Sequence, residues 1–432
     1  QAMIQEGARE IRAVTADQFQ GGSLLSANSG QDSSKELAAQ EAVLNRFQVR
    51  VLPLEGEEIL ARLETTWKQG RVRREISITD LDGQEPAEVE PFITRLSPVQ
   101  VKRNVNQTFY QTHVQEIPDR LQNVLETYIP EDTKPDLSTL PLRMRLLRRR
   151  FGRGLTSLRR VFLVGMGSSY HVAGMTKNMM QEIAPDLPVV VQSPVELESV
   201  SRSINPDRDL VVLLSWSGTT SDMVQFAKDL RPHQITALAI TEKPFADLGL
   251  TLRRSAGVIP VLSGEEVTVC GVKSVLCMLM TTQVFALALL AQLGYAQKAA
   301  VVARRMQTLP QILRQVLQDQ DLREWSQKQS RNFAHSLCHV VIDAQHSVGT
   351  GTEIALKLEE NSWTSMGKTF DFRDVESHIF EGWNPENLVL INATNRARLQ
   401  EAIFCMHSLR AEGVPFVCVT FEHESLDTLR RL

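Results

Sequence analysis

An α/β architecture of two doubly wound parallel sheets in tandem, the second cut short, preceded by a small mixed β region and a helical linker, is predicted by three features of this sequence. From Arg160 onward, short uninterrupted apolar runs alternate with stretches of helical periodicity. Strands covered on both faces of a parallel sheet read in this continuous way, whereas half-exposed strands alternate polar with apolar. The theme lapses around 298 to 330 and then resumes, so the architecture is duplicated. At 432 residues the chain also exceeds what one hydrophobic core organises, which calls for two or three domains.

The elements follow in order. Residues 1–95 are mixed: a polar Gly/Ser-rich patch precedes FQVRVLPLEGEEILARLE, whose alternation about Glu55 and Gly56 reads as a β-hairpin, and RREISITDLDG reads as a further strand and turn. Residues 96–150 form a linker of two helical stretches, roughly 100 to 128 and 140 to 150, around the Pro/Asp-rich IPEDTKPDLSTLP. The first doubly wound domain, 151–297, runs RVFLVG, helix, LPVVVQ, helix, DLVVLLS, helix, ITALAIT and AGVIPVL. The second, 298–432, begins with a helical connector and continues with HVVIDA, a helix from about 350, NLVLINA, another helix and VPFVCVTFE. It stops at Leu432 before the second copy is complete, and an opening on Gln1 rather than Met reads as a fragment of something longer.

Composition narrows the partners. A net charge of -4 with both signs interspersed offers no extended basic field, and the run Arg148, Arg149, Arg150 is too short to make one, which argues against nucleic acid. Five cysteines, all at or beyond Cys270, lack disulfide-framework or metal-pair spacing and fit buried thiols in a reducing cytoplasm. The stretch Ser274 to Leu293 is apolar, but Thr281, Thr282 and Gln283 interrupt it, so a buried core helix is expected rather than a membrane span. No signal peptide is read at the N-terminus.

Chemistry is expected where strands end. The first strand of the first domain closes in VGMGSSYH, setting Gly165, Gly167, Ser168 and Ser169 at a strand-to-helix turn that suits either an anion or a tight structural turn. As a dinucleotide fingerprint it fails, because Tyr170 stands where the third glycine belongs. The third strand closes in LLSWSGTTSD, with Ser215, Ser217, Thr219 and Thr220 around Gly218. That is more hydroxyls than a helix cap requires, and the cluster offers neutral donors to a phosphate without lysine or metal. In TEIALKLEENSW, Glu353, Lys357 and Glu360 stand at i, i+4 and i+7, along one helical face, as a solvated ion pair or as a catalytic group.

The GxSS turn, the SxSGxT loop and the later stretch EEVTVCGVKS together resemble SIS domains, the sugar-phosphate isomerase family, from about 160 to 432. Within that family the chain resembles the isomerase half of glutamine:fructose-6-phosphate amidotransferases. The resemblance implies that Ser215, Ser217 and Thr220 hold the phosphate of a sugar, that Ser168 and Ser169 join from the first turn, and that Val269 and Gly271 face the sugar. Trp216 stands where the synthases have glutamine and Gly271 where they have serine, so two polar sugar contacts are missing. TEIALKLEENSW is similar to the synthase helix whose final glutamate moves the proton between C1 and C2, which makes Glu360 the base. Lys357 then assists substrate charge or pairs with Glu353. RDVESHIFEG occupies the place of a ring-opening histidine, making His378 the candidate, with a surface histidine as the alternative. His171 is read as a helix-start residue or as a neighbour of the substrate.

Residues 1–95 resemble the last strands of the synthase glutaminase domain, which implies ammonia or glutamine delivered through an N-terminal domain. That chemistry uses an N-terminal cysteine, and no cysteine precedes Cys270. The reading requires neither cofactor nor metal, and the resemblance implies a homodimer. Conversion of fructose 6-phosphate to glucosamine 6-phosphate is the activity implied. Another SIS isomerase or deglycase, and a non-catalytic phosphosugar sensor, are the alternatives.

Overall fold

The computed structural model describes residues 49–51, 59–68, 71–80, 92–94, 108–129, 134–196, 203–268, 270–335, 338–343, 349–361, 366–372, 387–393 and 399–420. The chain divides into two compact units, Gln1–Pro98 and Val99–Leu432.

In the first unit, β1 (Val49–Val51) pairs antiparallel with β4 (Phe92–Thr94), and β2 (Ile59–Lys68) pairs antiparallel with β3 (Arg71–Asp80). Glu55 and Gly56, where the sequence places a hairpin turn, lie outside the described residues. Among the described strands, β2 and β3 pair over ten positions, from Ile59 with Asp80 to Lys68 with Arg71.

The second unit opens with α1 (Phe109–Tyr128). Thr108 caps it reciprocally with Gln111: the Gln111 amide donates to Thr108 Oγ1 at 3.2 Å and the Thr108 amide to Gln111 Oε1 at 2.9 Å. Ile117, Leu121, Val124, Leu125 and Tyr128 recur at helical spacing and are all buried. After α2 (Met144–Phe151) come β5 (Arg160–Val164), α3 (Ser168–Ile183), β6 (Val189–Gln192), β7 (Asp209–Leu214), α4 (Ser221–Leu230), β8 (Thr236–Thr241), α5 (Asp247–Leu252) and β9 (Gly257–Pro260). Their sheet is parallel in the order β6-β5-β7-β8-β9. All six residues of β7 are buried. Leu210, Val212 and Leu214 face one core while Val211 and Leu213 face the other, so the run is apolar because both pleat faces are covered.

The apolar helix read from sequence is α6 (Lys273–Leu290), buried along most of its length against α1 and α3. Among the described residues, one helical stretch, Lys273–Gln318, is long and apolar enough to cross a membrane, and its apolar part lies mostly inside this core. A π-type turn at Ala291–Tyr295, with Gly294 at φ 101°, leads to α7 (Ala296–Gln318), which folds back on α1 and α6, and then to α8 (Gln320–His335).

The second lobe contains β10 (Cys338–Asp343), α9 (Thr350–Asn361), β11 (Met366–Asp371), β12 (Asn387–Ala393), α10 (Leu399–Ala411) and β13 (Phe416–Thr420). Its described strands run parallel in the order β11-β10-β12-β13, the same winding as β6-β5-β7-β8. The lobes meet where α9 approaches α3. A Cβ at Gly349, which has φ 135°, would lie 2.7 Å from the His171 carbonyl and 2.9 Å from the Met175 amide nitrogen, so only glycine lets the start of α9 come this close.

Candidate functional site

The β5 turn and the β7 loop stand at the carboxyl ends of adjacent strands, the usual ligand side of a doubly wound sheet. At the first turn the chain reverses so tightly that a Cβ on Gly165 would meet the Ser169 carbonyl at 2.6 Å. Gly167 takes φ 53°, and α3 begins at Ser168. Ser169 Oγ donates to Met278 on α6 at 3.4 Å.

In the β7 loop, Gly218 at φ 63° carries the bend. Its amide donates to Ser215 Oγ at 3.2 Å, and the buried Ser215 hydroxyl lies 3.2 Å from Thr220 Oγ1. Ser215 thus braces the loop from inside. Ser217 Oγ accepts from the Thr219 amide at 3.3 Å and from the Thr219 hydroxyl at 3.1 Å, which leaves its own O–H to donate. In the Ser215–Thr220 pair either hydroxyl can be the donor. Thr220 precedes α4 without a side-chain cap bond, so donors of helix and loop stand together.

Trp216 turns the other way. Its Nε1–H donates to Ser263 Oγ at 2.9 Å, and its carbonyl accepts from the Glu242 amide at 3.1 Å and the Thr241 hydroxyl at 3.2 Å. Burial raises the Glu242 carboxyl above the ordinary carboxylate value, against the pull of hydrogen bonds from Ser263 and Gly264. The segment after β9 is held by Glu266, whose carboxylate accepts from the Val272 and Lys273 amides at 3.0 Å each and from the Ser274 amide at 2.9 Å. A carboxylate at the start of α6 answers the open amides and positive end of the helix dipole. At Gly271 a Cβ would lie 2.8 Å from Ser274 Oγ and 3.4 Å from Glu266 Oε2, so a side chain here requires the Ser274 hydroxyl to move.

The second lobe supplies α9. Glu353, Lys357 and Glu360 do share one face, and that face is turned to the first lobe. Lys357 Nζ lies 3.1 Å from Ser168 Oγ, 2.7 Å from Glu360 Oε2 and 3.3 Å from Glu353 Oε1. Glu353 Oε2 lies 2.7 Å from His171 Nδ1. Burial works against the Lys357 ammonium, but the Glu360 hydrogen bond and both carboxylates outweigh it and hold the pKa above that of an ordinary lysine. Asn361 Nδ2 donates to Cys270 Sγ at 3.1 Å, and burial raises the Cys270 thiol pKa.

These parts enclose a cavity of about 240 Å³ lined by Ser168, Ser169, Trp216, Gly271, Lys357 and Glu360 among the residues singled out in the sequence, and by Glu266, Thr268, Ser274, Val172, Val275 and Met278. It is smaller than the roughly 300–1,000 Å³ typical of sites for drug-sized ligands. Ser215, Ser217 and Thr220 are not among its lining residues; from their loop only Trp216 is. Val269 and His378 lie outside the described residues. Glu266, Thr268 and Ser274 did not stand out in the sequence, although all three lie within the stretch EEVTVCGVKS; the signal there was a carboxylate a few residues before an uncapped helix. Among the described residues, no group of three His, Cys, Asp or Glu side chains is arranged to hold a metal.

Comparison with known proteins gives a consistent picture. Residues 154–288 match the SIS domain family. The glutamine–fructose-6-phosphate aminotransferase of Thermococcus kodakarensis is 27% identical over 210 residues, covering 47% of this chain and 33% of the relative. That of Bacillus thuringiensis is 24% identical over 216 residues, covering 50% and 33%. The chain thus spans about a third of the length of the curated relatives it matches. Among solved structures, the C-terminal domain of the glucosamine-fructose-6-phosphate aminotransferase from Francisella tularensis superposes with a TM-score of 0.65 at 16% identity, over 76% of this chain and 87% of that one. The tagatose-6-phosphate ketose/aldose isomerase from Escherichia coli gives 0.52 at 15%, over 74% and 83%. The chain therefore has the doubly wound α/β fold of these structures, and its residues 154–288 match the SIS domain family.

Proposed function

We propose that this chain binds a hexose 6-phosphate and moves a proton between its first two carbons, as the isomerase part of an enzyme of the glutamine–fructose-6-phosphate aminotransferase type. The single observation that carries the reading is the Lys357–Ser168 contact of 3.1 Å, which brings an α9 carboxylate to the hydroxyl-bearing turn of the other lobe. Ser217, Thr220 and the open start of α4 donate to the phosphate, with Ser168 and Ser169 on the neighbouring strand end. Ammonia condenses with the ketone of fructose 6-phosphate at C2 and releases water. The Glu360 carboxylate then takes a proton from C1 and returns it at C2, while the O1 hydroxyl proton passes to the imine nitrogen, leaving an aldose that carries the amine. The Lys357 ammonium offsets the negative charge that develops on O1.

The whole assembly belongs to the same proposal: ammonia supplied through an N-terminal glutaminase domain, a homodimer, a cytoplasmic setting, and contributions from His378 and Val269. A second reading, phosphosugar binding without turnover, is favoured by the 2.7 Å ion pair of Glu360 with Lys357, which engages the carboxylate within the protein. The two separate in one assay, in which the protein is incubated with fructose 6-phosphate and ammonia and glucosamine 6-phosphate is measured. A general base is worth roughly 10²–10⁴ in rate, so Glu360→Gln should lose turnover by about that factor while still binding fructose 6-phosphate. Binding by the unaltered chain without product selects the sensor, and isomerisation without amination selects another SIS enzyme.

A further inference from the structure

The cavity lining is chemically mixed. Ser168, Ser169, Lys357 and Glu360 make it polar and charged, with Thr268 and Ser274 beside them in the lining. The polar atom of Trp216, by contrast, is used up inside the protein. Glu242 Oε2 accepts from the Ser263 amide at 2.8 Å and the Ser263 hydroxyl at 3.0 Å, while Glu242 Oε1 accepts from the Gly264 amide at 2.9 Å. Because the Ser263 proton points to this carboxylate, its oxygen lone pair is left for the indole N–H at 2.9 Å. The only polar atom of the Trp216 side chain is thereby satisfied and directed away from any ligand. Next to it, Gly271 has no side chain, and both oxygens of Glu266 are engaged by backbone amides. Val172, Val275 and Met278 add apolar surface to the lining.

We propose that Trp216 is a specificity-determining residue that receives the C–H groups of a hexose phosphate by apolar contact, and that Ser263 and Glu242 are positioning residues that hold the indole in that role. This rests on the reading of the cavity as a phosphosugar site and adds how the sugar is recognised: by hydrogen bonds on the Ser168–Glu360 side and by an aromatic wall on the other. Phosphate alone does not use the wall, so the two halves of the ligand separate experimentally.

The test is a titration of the full chain, and of Trp216→Phe, Trp216→Gln and Ser263→Ala, with fructose 6-phosphate and with inorganic phosphate, followed by calorimetry and tryptophan fluorescence. Fructose 6-phosphate should shift the emission of the unaltered chain, and the shift should be absent in Trp216→Phe, which keeps an aromatic wall and much of the affinity. Trp216→Gln should weaken fructose 6-phosphate about tenfold, the size of one lost aromatic contact, and leave inorganic phosphate unchanged. Ser263→Ala should weaken the sugar phosphate in the same direction, because the indole loses its anchor. Equal affinity of Trp216→Gln and the unaltered chain for fructose 6-phosphate overturns the inference and leaves the phosphosugar reading standing. Failure of the unaltered chain to bind either ligand overturns both.

Discussion

Ser215, Ser217 and Thr220 belong to one short motif, yet the fold gives them different work. Ser215 is buried and spends its hydroxyl on the Gly218 amide and on Thr220, so Ser215→Ala should lower stability by about 1 kcal/mol, the net worth of an internal hydrogen bond, in a urea titration. Ser217 accepts both of its bonds from Thr219 and keeps its proton, while Thr220 shares one bond with Ser215. Replacing Ser217 and Thr220 together with Ala and Val should weaken phosphosugar binding by about 1.5–3 kcal/mol for each donor lost to a charged group, with little effect on stability. An unchanged dissociation constant in that double variant would remove the loop from the phosphate site. The hydroxyl clustering was legible in the sequence because it exceeds what a cap requires. The division of labour was not, since it depends on which hydroxyl the end of β7 carries inward. Glu266 was equally illegible as an anchor: the three amides it receives follow it by six to eight positions, across a chain reversal that periodicity does not signal.

At the level of elements, two dockings build the cavity. The first is α9 on α3, where Gly349 permits the approach and the His171–Glu353 contact of 2.7 Å fixes it. Gly349→Ala should force the helix outward, weaken the Lys357–Ser168 contact and reduce phosphosugar affinity more than it reduces the melting temperature. A variant that melts normally and binds normally would contradict this docking. The second is α1 on the start of α6. Lys273 is fully buried, and its Nζ lies 2.6 Å from Glu116 Oε2 and 2.8 Å from the Glu265 carbonyl, beside the segment that lines the cavity. Glu116→Ala strands that ammonium and should cost about 3 kcal/mol.

The same pair predicts a pH dependence with a definite sign. Burial pushes the Glu116 carboxyl up, but the hydrogen bond and charge of Lys273 more than offset it and hold its pKa below the ordinary value of 4.5. The folded state therefore holds this proton less tightly than the unfolded state. The contribution is present above pH 4.5 and is lost as pH falls through the lowered folded value. Glu116→Gln should flatten that acid limb in a series of urea titrations between pH 5 and 2. A limb of unchanged steepness would assign the acid sensitivity to other carboxylates. Existence and type of the parallel strands were legible here because burial on both faces writes continuous β-branched runs. The pairing of β2 with β3 was not legible, because an alternating run shows that a strand exists without showing which strand it meets.

Across the molecule, the same strand winding occurs twice within the second compact unit, and the chemistry gathers where the first copy meets a helix of the second. Each lobe brings what the other lacks: hydroxyls and a helix start from the first, a lysine and two carboxylates from the second. The duplication could be read from the sequence as a repeated rhythm of strands and helices. The meeting of Ser168 with Lys357, 189 positions apart, could not, because no local pattern encodes the distance between lobes. The account turns on the carboxylate of Glu360 moving a proton at the sugar carbon beside it. Its most direct test is to incubate the protein with fructose 6-phosphate in deuterium oxide and follow the C1 proton by NMR. The account predicts that deuterium enters at C1 with the unaltered chain and that Glu360→Gln binds the sugar phosphate without exchange. Tight binding of fructose 6-phosphate with no exchange by the unaltered chain, or exchange that continues in Glu360→Gln, would contradict it.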